Sequence, residues 1–283
     1  MHKVILSADS TCDLDEKLIN QYSIQIQPLH LTLAGEDFRD GIDIKPDDIY
    51  RTYEKEGILP QTSAPNIAEY ITHFKKWTDQ GYEVIHISLG SALSSAYQNS
   101  CLAAEEVGNV HIVDSGNLST GMGLLVVEAA ERIAAGMSAK EIREEITELK
   151  LKVNTSFVID KLTYLQEGGR CTSLEAFSAN VLNIKPSIEV DNKSGNMNVG
   201  KKYRGSMKKV LKRYALDRLL KQGEIVTDKI FITHSGTDSE NIELLKDIIE
   251  ENASFKEVHI SRAGCTISSH CGPNTLGLIY LSK

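Results

Sequence analysis

The sequence has few of the features that mark secreted and membrane proteins. Its 283 residues include only five cysteines, an odd number scattered at positions 12, 101, 171, 265 and 271. No segment approaches the roughly 18 consecutive apolar residues that a membrane-spanning helix needs. The apolar run before Asp9 is also too short for a signal peptide. We therefore expect a cytoplasmic protein that keeps its thiols reduced and has no membrane span.

Motifs of several enzyme classes are also missing. The eight histidines and five cysteines show no C-x-x-C or H-E-x-x-H spacing, so we expect no metal site. No G-x-S-x-G stretch is present, which argues against a nucleophile elbow. Residues 195–202, GNMNVGKK, match G-x-x-x-x-G-K, but Lys202 stands where a nucleotide-binding loop needs Ser or Thr. We therefore expect no phosphate-binding loop and no cofactor.

Positive charge is in the minority. The chain has 31 Lys and Arg against 39 Asp and Glu, a formal net charge of −8, which argues against nucleic acid as a main partner. Hydrophobic residues make up 41% and charged residues 25% of the chain, which is typical of a globular protein with a sizeable core. The length suits one large domain or two modest ones.

Strand-like and helix-like segments alternate along the first half of the chain. Apolar segments at 3–8, 82–89 and 109–114 have strand character, and a helix-like segment follows each one. Strands separated by helices imply right-handed crossovers and a doubly wound parallel sheet covered on both faces. Ser138 and Glu141 have the spacing of a capping box, which predicts the start of another helix. We assign residues 1–150 to this Rossmann-like α/β domain.

The second half of the chain has a different order of predicted strands and helices. Segments 155–160, 184–191, 229–236, 256–262 and 274–282 have the pattern of strands, and residues 206–223 that of a long helix. The DNKSGN stretch at 191–196 predicts a hairpin turn. We expect residues 151–283 to form a second, smaller α/β domain with a mixed sheet, joined to the first by a short linker.

Small hydroxyl residues follow several predicted strands of the first half. They are Ser10 and Thr11, the serines between 88 and 95, and the polar stretch 114–120, while Thr62 and Ser63 precede a helix. The carboxyl ends of parallel strands gather on one edge, where ligands bind and helix N-termini point free N–H groups. This pattern predicts a pocket rich in neutral donors, suited to an anion or a polar head group. Each cluster could instead be only a helix cap.

Seven stretches, taken together and in order, resemble the DegV family of bacterial fatty-acid-binding proteins. They are DSTCDL near the start, TSAPN at 62–66, LSSAYQNS at 93–100, VDSGNLSTGMG at 113–123, LTYLQEGGR at 162–170, IKPSIEV at 184–190 and HCGPNTLGL at 270–278. The resemblance implies two α/β domains, with loops of the first holding a fatty-acid carboxylate and the second closing over the acyl chain. It implies fatty-acid-binding roles for Thr62, Ser94, Arg170 and His270.

The sequence departs from the family pattern at two of these stretches. The usual L-S-G-T-Y-Q has Ser95 and Ala96 in place of Gly and Thr, and the usual H-T-G-P-G has Cys271 and Asn274 in place of Thr and Gly. The network around the head group therefore differs in detail. Arg170 has an alternative role as a structural ion-pair partner or a cap on the preceding helix.

The function that the resemblance implies is that of a carrier, with no catalytic residues of its own. The protein would bind a long-chain fatty acid such as palmitate, stearate or oleate and present its carboxylate to a separate fatty acid kinase, which makes an acyl phosphate for phospholipid metabolism. One alternative is an acyl hydrolase that uses Ser94 with His270 as base. Another is a sensor of a small ligand.

A basic segment interrupts the acidic chain. Between Lys201 and Arg213 there are seven basic residues and no acidic one. The resemblance places a partner-contacting arginine at Arg204, so we expect Arg204, Lys201, Lys202 and Lys208 to contact the kinase. The alternative is an ordinary solvated helix face.

Overall fold

A computed structural model describes residues 3–171, 184–221 and 225–283 of the chain, with residue 221 described by its backbone alone. The strands are β1 (Val4–Asp9), β2 (Gln25–Gln27), β3 (His30–Leu33), β4 (Glu36–Arg39), β5 (Gln61–Ser63), β6 (Glu83–Ser88), β7 (Val110–Asp114), β8 (Val153–Val158), β9 (Ile184–Val190), β10 (Met197–Arg204), β11 (Ile225–His234), β12 (Glu257–Arg262) and β13 (Leu276–Ser282). The helices are α1 (Glu16–Gln21), α2 (Pro46–Glu56), α3 (Ile67–Thr78), α4 (Ala96–Val107), α5 (Ser119–Ala134), α6 (Ala139–Leu149), α7 (Leu162–Gly168), α8 (Met207–Lys221), α9 (Ser239–Asn252) and α10 (Cys265–Cys271).

The first sheet is parallel, as the alternating pattern predicted. Its order is β2-β1-β6-β7, and every pairing in it is parallel. Tyr70 and Phe74 of α3 and Ala103 of α4 pack in one cluster with Val84 and Ile112 of the sheet. The helices α5 and α6 pack in another cluster with other residues of β1, β6 and β7. The sheet is therefore covered on both faces, and the prediction of a doubly wound first half is confirmed.

The second sheet is mixed. Its order is β10-β9-β8-β13-β11-β12, in which β11 and β12 are parallel and the other pairings are antiparallel. The hairpin predicted at 191–196 joins β9 to β10, with Val190 paired to Met197. Gly200, Lys201 and Lys202 lie inside β10, so the G-x-x-x-x-G-K match belongs to a hairpin and not to a nucleotide-binding loop.

Helix α5 lies between the two sheets. Its residues Met122 to Ala130 share one buried cluster with Leu6 and Ile85 of the first sheet and with Phe231 and Ile279 of the second. Helix α5 also approaches the segment at Cys12 so closely that residue 123 must be a glycine. An ideal Cβ on Gly123 would lie 2.5 Å from the carbonyl oxygen of Cys12. The core is thus continuous across residue 150, and the domain boundary at that residue stays a prediction.

Helix α10 was not predicted from the sequence, although it carries His270. Its N-cap residue, Gly264, has no side chain that could cap it. Two buried aspartate side chains from distant parts of the chain take that role: Asp13 accepts from Gly264 N at 2.8 Å, and Asp40 accepts from Cys265 N at 2.7 Å. A cap more than 200 residues away in sequence leaves no local signal, so the pattern could not reveal this helix.

Candidate functional site

The four residues expected at the head group line one cavity of about 280 Å³. It lies among β5, the loop after β6, the start of α5, the end of α7, the start of β10 and α10. The lining residues on its solvent side are exposed or half-buried: Thr62, Ser63, Ala64, Leu93, Ser94, Ser95, Arg170 and His270. Those on its inner side are buried: Leu29, Leu89, Leu118, Leu165, Met197, Thr266, Ile267 and Cys271. The cavity therefore has a polar mouth and a mainly apolar interior.

Thr62 and His270 form a hydrogen-bonded pair at the mouth, with Thr62 Oγ1 2.8 Å from His270 Nε2. Thr62 is held in place by strand pairing, because β5 aligns Thr62 with Leu31 of β3. His270 is held by the last turn of α10, whose first turn is fixed by Asp13 and Asp40. Residues 208 positions apart in sequence therefore meet through the small β4-β3-β5 sheet and a remotely capped helix.

His270 is a neutral imidazole in this site. Burial and the nearby positive charge of Arg170 lower the pKa of His270 to about 4. Its Nδ1 is buried and has no hydrogen-bond partner among the described residues. An ideal Cβ on Gly168 would lie 2.2 Å from Nδ1, so a Cα hydrogen of that glycine faces this nitrogen and leaves no room for a second hydrogen. We therefore assign the proton to Nε2, which donates to Thr62 Oγ1 and leaves the Thr62 hydroxyl to donate into the cavity.

Ser94 lies one residue before Ser95, the N-cap of α4, and lines the cavity. Its Oγ accepts from Ala96 N at 3.2 Å, where α4 begins. Residues 91–93 form a turn after β6, and α4 begins only at Ala96. The bond from Ala96 uses a lone pair of Ser94 Oγ and not its hydrogen, so the hydroxyl can still donate to an acceptor in the cavity.

Arg170 is exposed at the mouth and contacts the end of the preceding helix. Its Nη1 donates to the carbonyl oxygen of Gly168 at 2.6 Å, at the end of α7. The helix-cap alternative is therefore observed, and Arg170 lines the cavity as well. Its positive charge favours an anion at this end of the cavity over the apolar end.

The inner wall of the cavity carries a thiol that burial keeps neutral. Cys271, which replaces the usual family threonine, lies on this wall, and burial raises the pKa of that thiol to about 12. A thiol with so high a pKa stays protonated at neutral pH and acts as a small apolar wall. The inner residues together provide a surface for hydrocarbon.

Thr266 is a cavity residue that the sequence reasoning missed. It lies one helical turn before His270 on α10, is 4% exposed, and has an Oγ1 with no partner among the described residues. Its i, i+4 spacing with His270 would have indicated a shared face if α10 had been predicted.

Several predicted strand-end hydroxyls serve the structure instead of the cavity. Asp9, fully buried, accepts from Tyr70 Oη at 2.6 Å, Ser88 Oγ at 2.8 Å and Leu89 N at 2.8 Å. Burial alone would raise the pKa of Asp9, but adjacent His86 and these hydrogen bonds outweigh it and lower the pKa. Ser91 donates to Asp114 in the same way. These bonds join strand ends and loops and cap no helix, so this part of the pattern has a structural role other than capping. Asp9 fixes the loop that leads to Ser94.

The predicted partner-binding residues lie away from the cavity, at the edge of the second sheet. Lys201, Lys202 and Arg204 are exposed on edge strand β10, and Lys208 is exposed in the first turn of α8. Lys201 pairs with Asp217, and Arg204 borders an open depression with Lys185 and Ser206. Met197, at the other end of β10, lines the cavity, so the strand links the two regions over roughly 23 Å.

Within residues 3–171, 184–221 and 225–283, no group of three or more His, Cys, Asp or Glu side chains could hold a metal ion. None of the helices in these ranges is both long and apolar enough to cross a membrane.

Similarity to known proteins extends over the whole chain. The family model described as "Uncharacterised protein, DegV family" matches residues 3–283. A DegV domain-containing protein of Clostridium perfringens is 30% identical over 287 residues, covering 100% of both chains. A DegV family protein from Thermus thermophilus, described for its fatty acid binding, has 26% identity and a TM-score of 0.87, covering 99% of this chain and 100% of its own. The DegV of Bacillus subtilis, described as a fatty acid binding protein, has 26% identity and a TM-score of 0.84, covering 100% of both chains.

Proposed function

The chain belongs to the DegV family, and on that premise we propose that it binds a long-chain fatty acid such as palmitate, stearate or oleate. The observation that carries the proposal is the cavity itself, in which Thr62, Ser94, Arg170 and His270 surround the mouth and apolar side chains form the interior. The relatives from Thermus thermophilus and Bacillus subtilis, which share this fold, are described as binding fatty acids.

The physical chemistry of the two ends supports this ligand class. Each buried CH₂ contributes about 0.8 kcal/mol, so the inner side gives affinity without specific polar contacts. Burial of a carboxylate without partners costs several kcal/mol. The hydroxyls of Thr62 and Ser94 provide neutral donors at the mouth, which satisfy the carboxylate oxygens without a permanent ion pair. Such a mouth suits a carrier that must release the carboxylate to another protein.

Titration of the delipidated protein with oleate and with palmitate tests fatty-acid binding. We expect saturable binding of one fatty acid per chain, and no binding of the matching methyl esters at the same concentration. Equal affinity for the acid and its methyl ester would contradict a carboxylate site at the mouth.

The hydrolase alternative finds less support in the geometry. A nucleophile needs a general base in hydrogen-bond contact and a third group that orients the base. His270 contacts Thr62 through Nε2, and its other ring nitrogen has no partner among the described residues. Incubation with a chromogenic acyl ester separates the two functions: we expect no turnover, whereas turnover abolished by Ser94→Ala would favour the enzyme.

We further propose that the protein presents its fatty acid to a separate fatty acid kinase through the basic patch of Lys201, Lys202, Arg204 and Lys208. The patch is exposed on a chain of net charge −8, which makes it a distinct electrostatic feature. Arg204 is aligned with Ile184 of β9, and Ile184 packs against the cluster that includes Leu29, Leu118 and Ile267 of the cavity. A partner that contacts Arg204 therefore meets the strand pair β9–β10, whose other end, at Met197, lines the cavity roughly 23 Å away.

The kinase step is tested with Arg204→Ala and a matched control, Lys55→Ala on α2, which is also exposed but lies outside the patch. We expect Arg204→Ala to slow kinase-dependent formation of acyl phosphate, with an effect that weakens as salt rises, while oleate binding stays unchanged. The control should behave like the wild type. Unchanged turnover at low and high salt, for Arg204→Ala and for charge reversal of Lys208 and Lys209, rules the patch out.

A further inference from the structure

A second, smaller cavity lies beyond the buried side of the main one. Its volume is about 30 Å³, and it shares the lining residues Leu118, Ile267 and Cys271 with the main cavity. All three are buried, whereas Arg170 and Ser95 at the mouth are exposed. The small cavity therefore continues the main one inward, away from the mouth, and we call it the distal cavity.

One face of the second sheet forms the floor of the distal cavity. Thr155 and Phe157 of β8 point to the same face because they are two residues apart, and strand pairing aligns them with Ile279 and Gly277 of β13. On the other side of β13, Gly277 is aligned with Thr233 of β11. Three adjacent strands thus present one continuous surface, with a glycine in its centre.

The hydroxyls around the distal cavity are almost all used within the protein. Those of four lining residues bond to other protein groups: Ser119 to Asp13, Thr233 to Thr120, Ser235 to the Gly272 carbonyl and Thr275 to the Cys271 carbonyl. Thr155 is the exception among the described hydroxyls of this cavity, since its Oγ1 is buried without a partner. The surface that the lining residues turn to this cavity is almost wholly apolar, so a buried water would find few of the roughly three hydrogen bonds that it normally makes. The surface therefore suits hydrocarbon better than water.

We propose that the distal cavity receives the methyl end of the bound acyl chain and sets the longest chain that the protein accepts. This inference rests on the proposed fatty-acid binding and adds to it the residues that determine chain length. The carboxylate lies at the polar mouth, the chain follows the buried apolar side, and its last carbons pass Leu118, Ile267 and Cys271 onto the floor formed by β8, β13 and β11.

The size of the distal cavity limits its effect to a small part of the chain. Its volume is about a tenth of that of the main cavity, the share of one or two carbons in a chain of about 16 carbons. Each methylene of the acyl chain that can no longer enter the distal cavity should weaken binding about fourfold. Filling the cavity should therefore shift the preferred length by one or two carbons and leave the carboxylate contacts unchanged.

A filling variant, Ala263→Val, tests this. Ala263 is 2% exposed and lines the distal cavity but not the main one. The matched control is Ala8→Val, because Ala8 is buried and lines neither cavity. We expect Ala263→Val to weaken binding of the longest saturated acid that the wild type binds, by about four- to sixteenfold, with little change for acids two carbons shorter. Ala8→Val should leave the length profile unchanged.

Enlarging variants test the opposite direction. Ile279→Ala, or the milder Ile279→Val, removes carbons from the floor, and Leu278→Ala serves as a control because Leu278 lies on the opposite face of β13 and packs in another cluster. We expect the Ile279 variants to shift the preference to longer acids and Leu278→Ala to lower only stability.

Thr155→Val, which replaces the unpaired hydroxyl with a methyl, should tighten binding of acids long enough to reach it. Weaker binding of these acids by Thr155→Val would overturn a hydrocarbon end and assign an oxygen-bearing tail instead.

Displacement of a fluorescent fatty-acid analogue from the full chain, by saturated acids of about 12 to 20 carbons, measures all these profiles. If the wild type binds none of these acids, the proposed function itself is wrong. If the wild type binds them, and the folded Ala263→Val and Ile279→Val proteins have the same length profile as the wild type, only the inference about the distal cavity is overturned.

Discussion

Replacement of Thr62 by valine removes one oxygen from the mouth of the cavity and nearly conserves the shape of the side chain. The hydroxyl lies 2.8 Å from His270 Nε2. With the ring proton assigned to Nε2, the hydroxyl accepts this bond, and its own hydrogen is free to bind a carboxylate. A hydrogen bond to a charged acceptor contributes about 1.5–3 kcal/mol, so Thr62→Val should weaken fatty-acid binding by about 10- to 150-fold.

The same variant has a second consequence, which concerns stability. The Nε2–H of His270 loses its partner in a partly buried site, which costs about 1–3 kcal/mol of unfolding free energy. The melting temperature of the unliganded protein should therefore fall by a few degrees, without loss of the cooperative transition. Valine is favoured in strands, so β5 itself should keep its pairing with β3.

Calorimetric titration with oleate and thermal unfolding of the delipidated protein measure both effects. The matched control is Thr32→Val on the neighbouring strand β3, which removes a hydroxyl that bonds to Asp37 at 2.7 Å and lines neither cavity. The control should bind oleate like the wild type. A folded Thr62→Val protein with wild-type affinity refutes the assignment of the head group to this mouth.

Three further predictions concern the same site and its supports. Ser94→Ala should weaken oleate binding, measured by the same titration, and lower stability by about 0.5–1.5 kcal/mol because Ala96 N loses its acceptor at the start of α4; unchanged binding would leave Ser94 with a structural role only. The pKa of His270 is lowered to about 4 in the folded chain, so the unfolded chain takes up the proton first as the pH falls, and the folded state should lose about 3 kcal/mol of stability between about pH 6.5 and 4. Chemical unfolding across this range should show the loss in the wild type relative to His270→Gln. Parallel stability curves for the two proteins would contradict it. Asp9→Asn should lower stability and weaken oleate binding together, since Asp9 accepts from Leu89 N in the cavity wall; a loss of binding at unchanged stability would argue against this positioning role.

The sequence predicted those parts of the fold that have local signals. The capping box at Ser138 and Glu141 opens α6, with Glu141 N donating to Ser138 Oγ at 3.3 Å. The turn at 191–196 joins two antiparallel strands. Both signals involve only a few neighbouring residues, so the sequence alone can reveal them. The start of α10 is not, because its caps are Asp13 and Asp40, which only the folded chain brings to it.

The fatty-acid-binding roles of the four expected residues stay a prediction, but their positions in the structure can be compared with the expectation. Thr62, Ser94, Arg170 and His270 share one cavity, which the resemblance to a known family implied and which composition alone could not have indicated. Thr266 was missed because it lies on the helix that was missed. The apolar wall could not be assigned from sequence either, since a leucine that faces the cavity has the same pattern as one that faces the core.

Native mass spectrometry of the protein as purified, without delipidation, tests the central claim most directly. We expect a bound species whose extra mass is that of a fatty acid of about 14–18 carbons, one per chain, which dissociates on collisional activation. The Thr62→Val protein should carry less of it, and Thr32→Val as much as the wild type. Only apo protein, with no mass shift after addition of oleate or palmitate, would contradict the account.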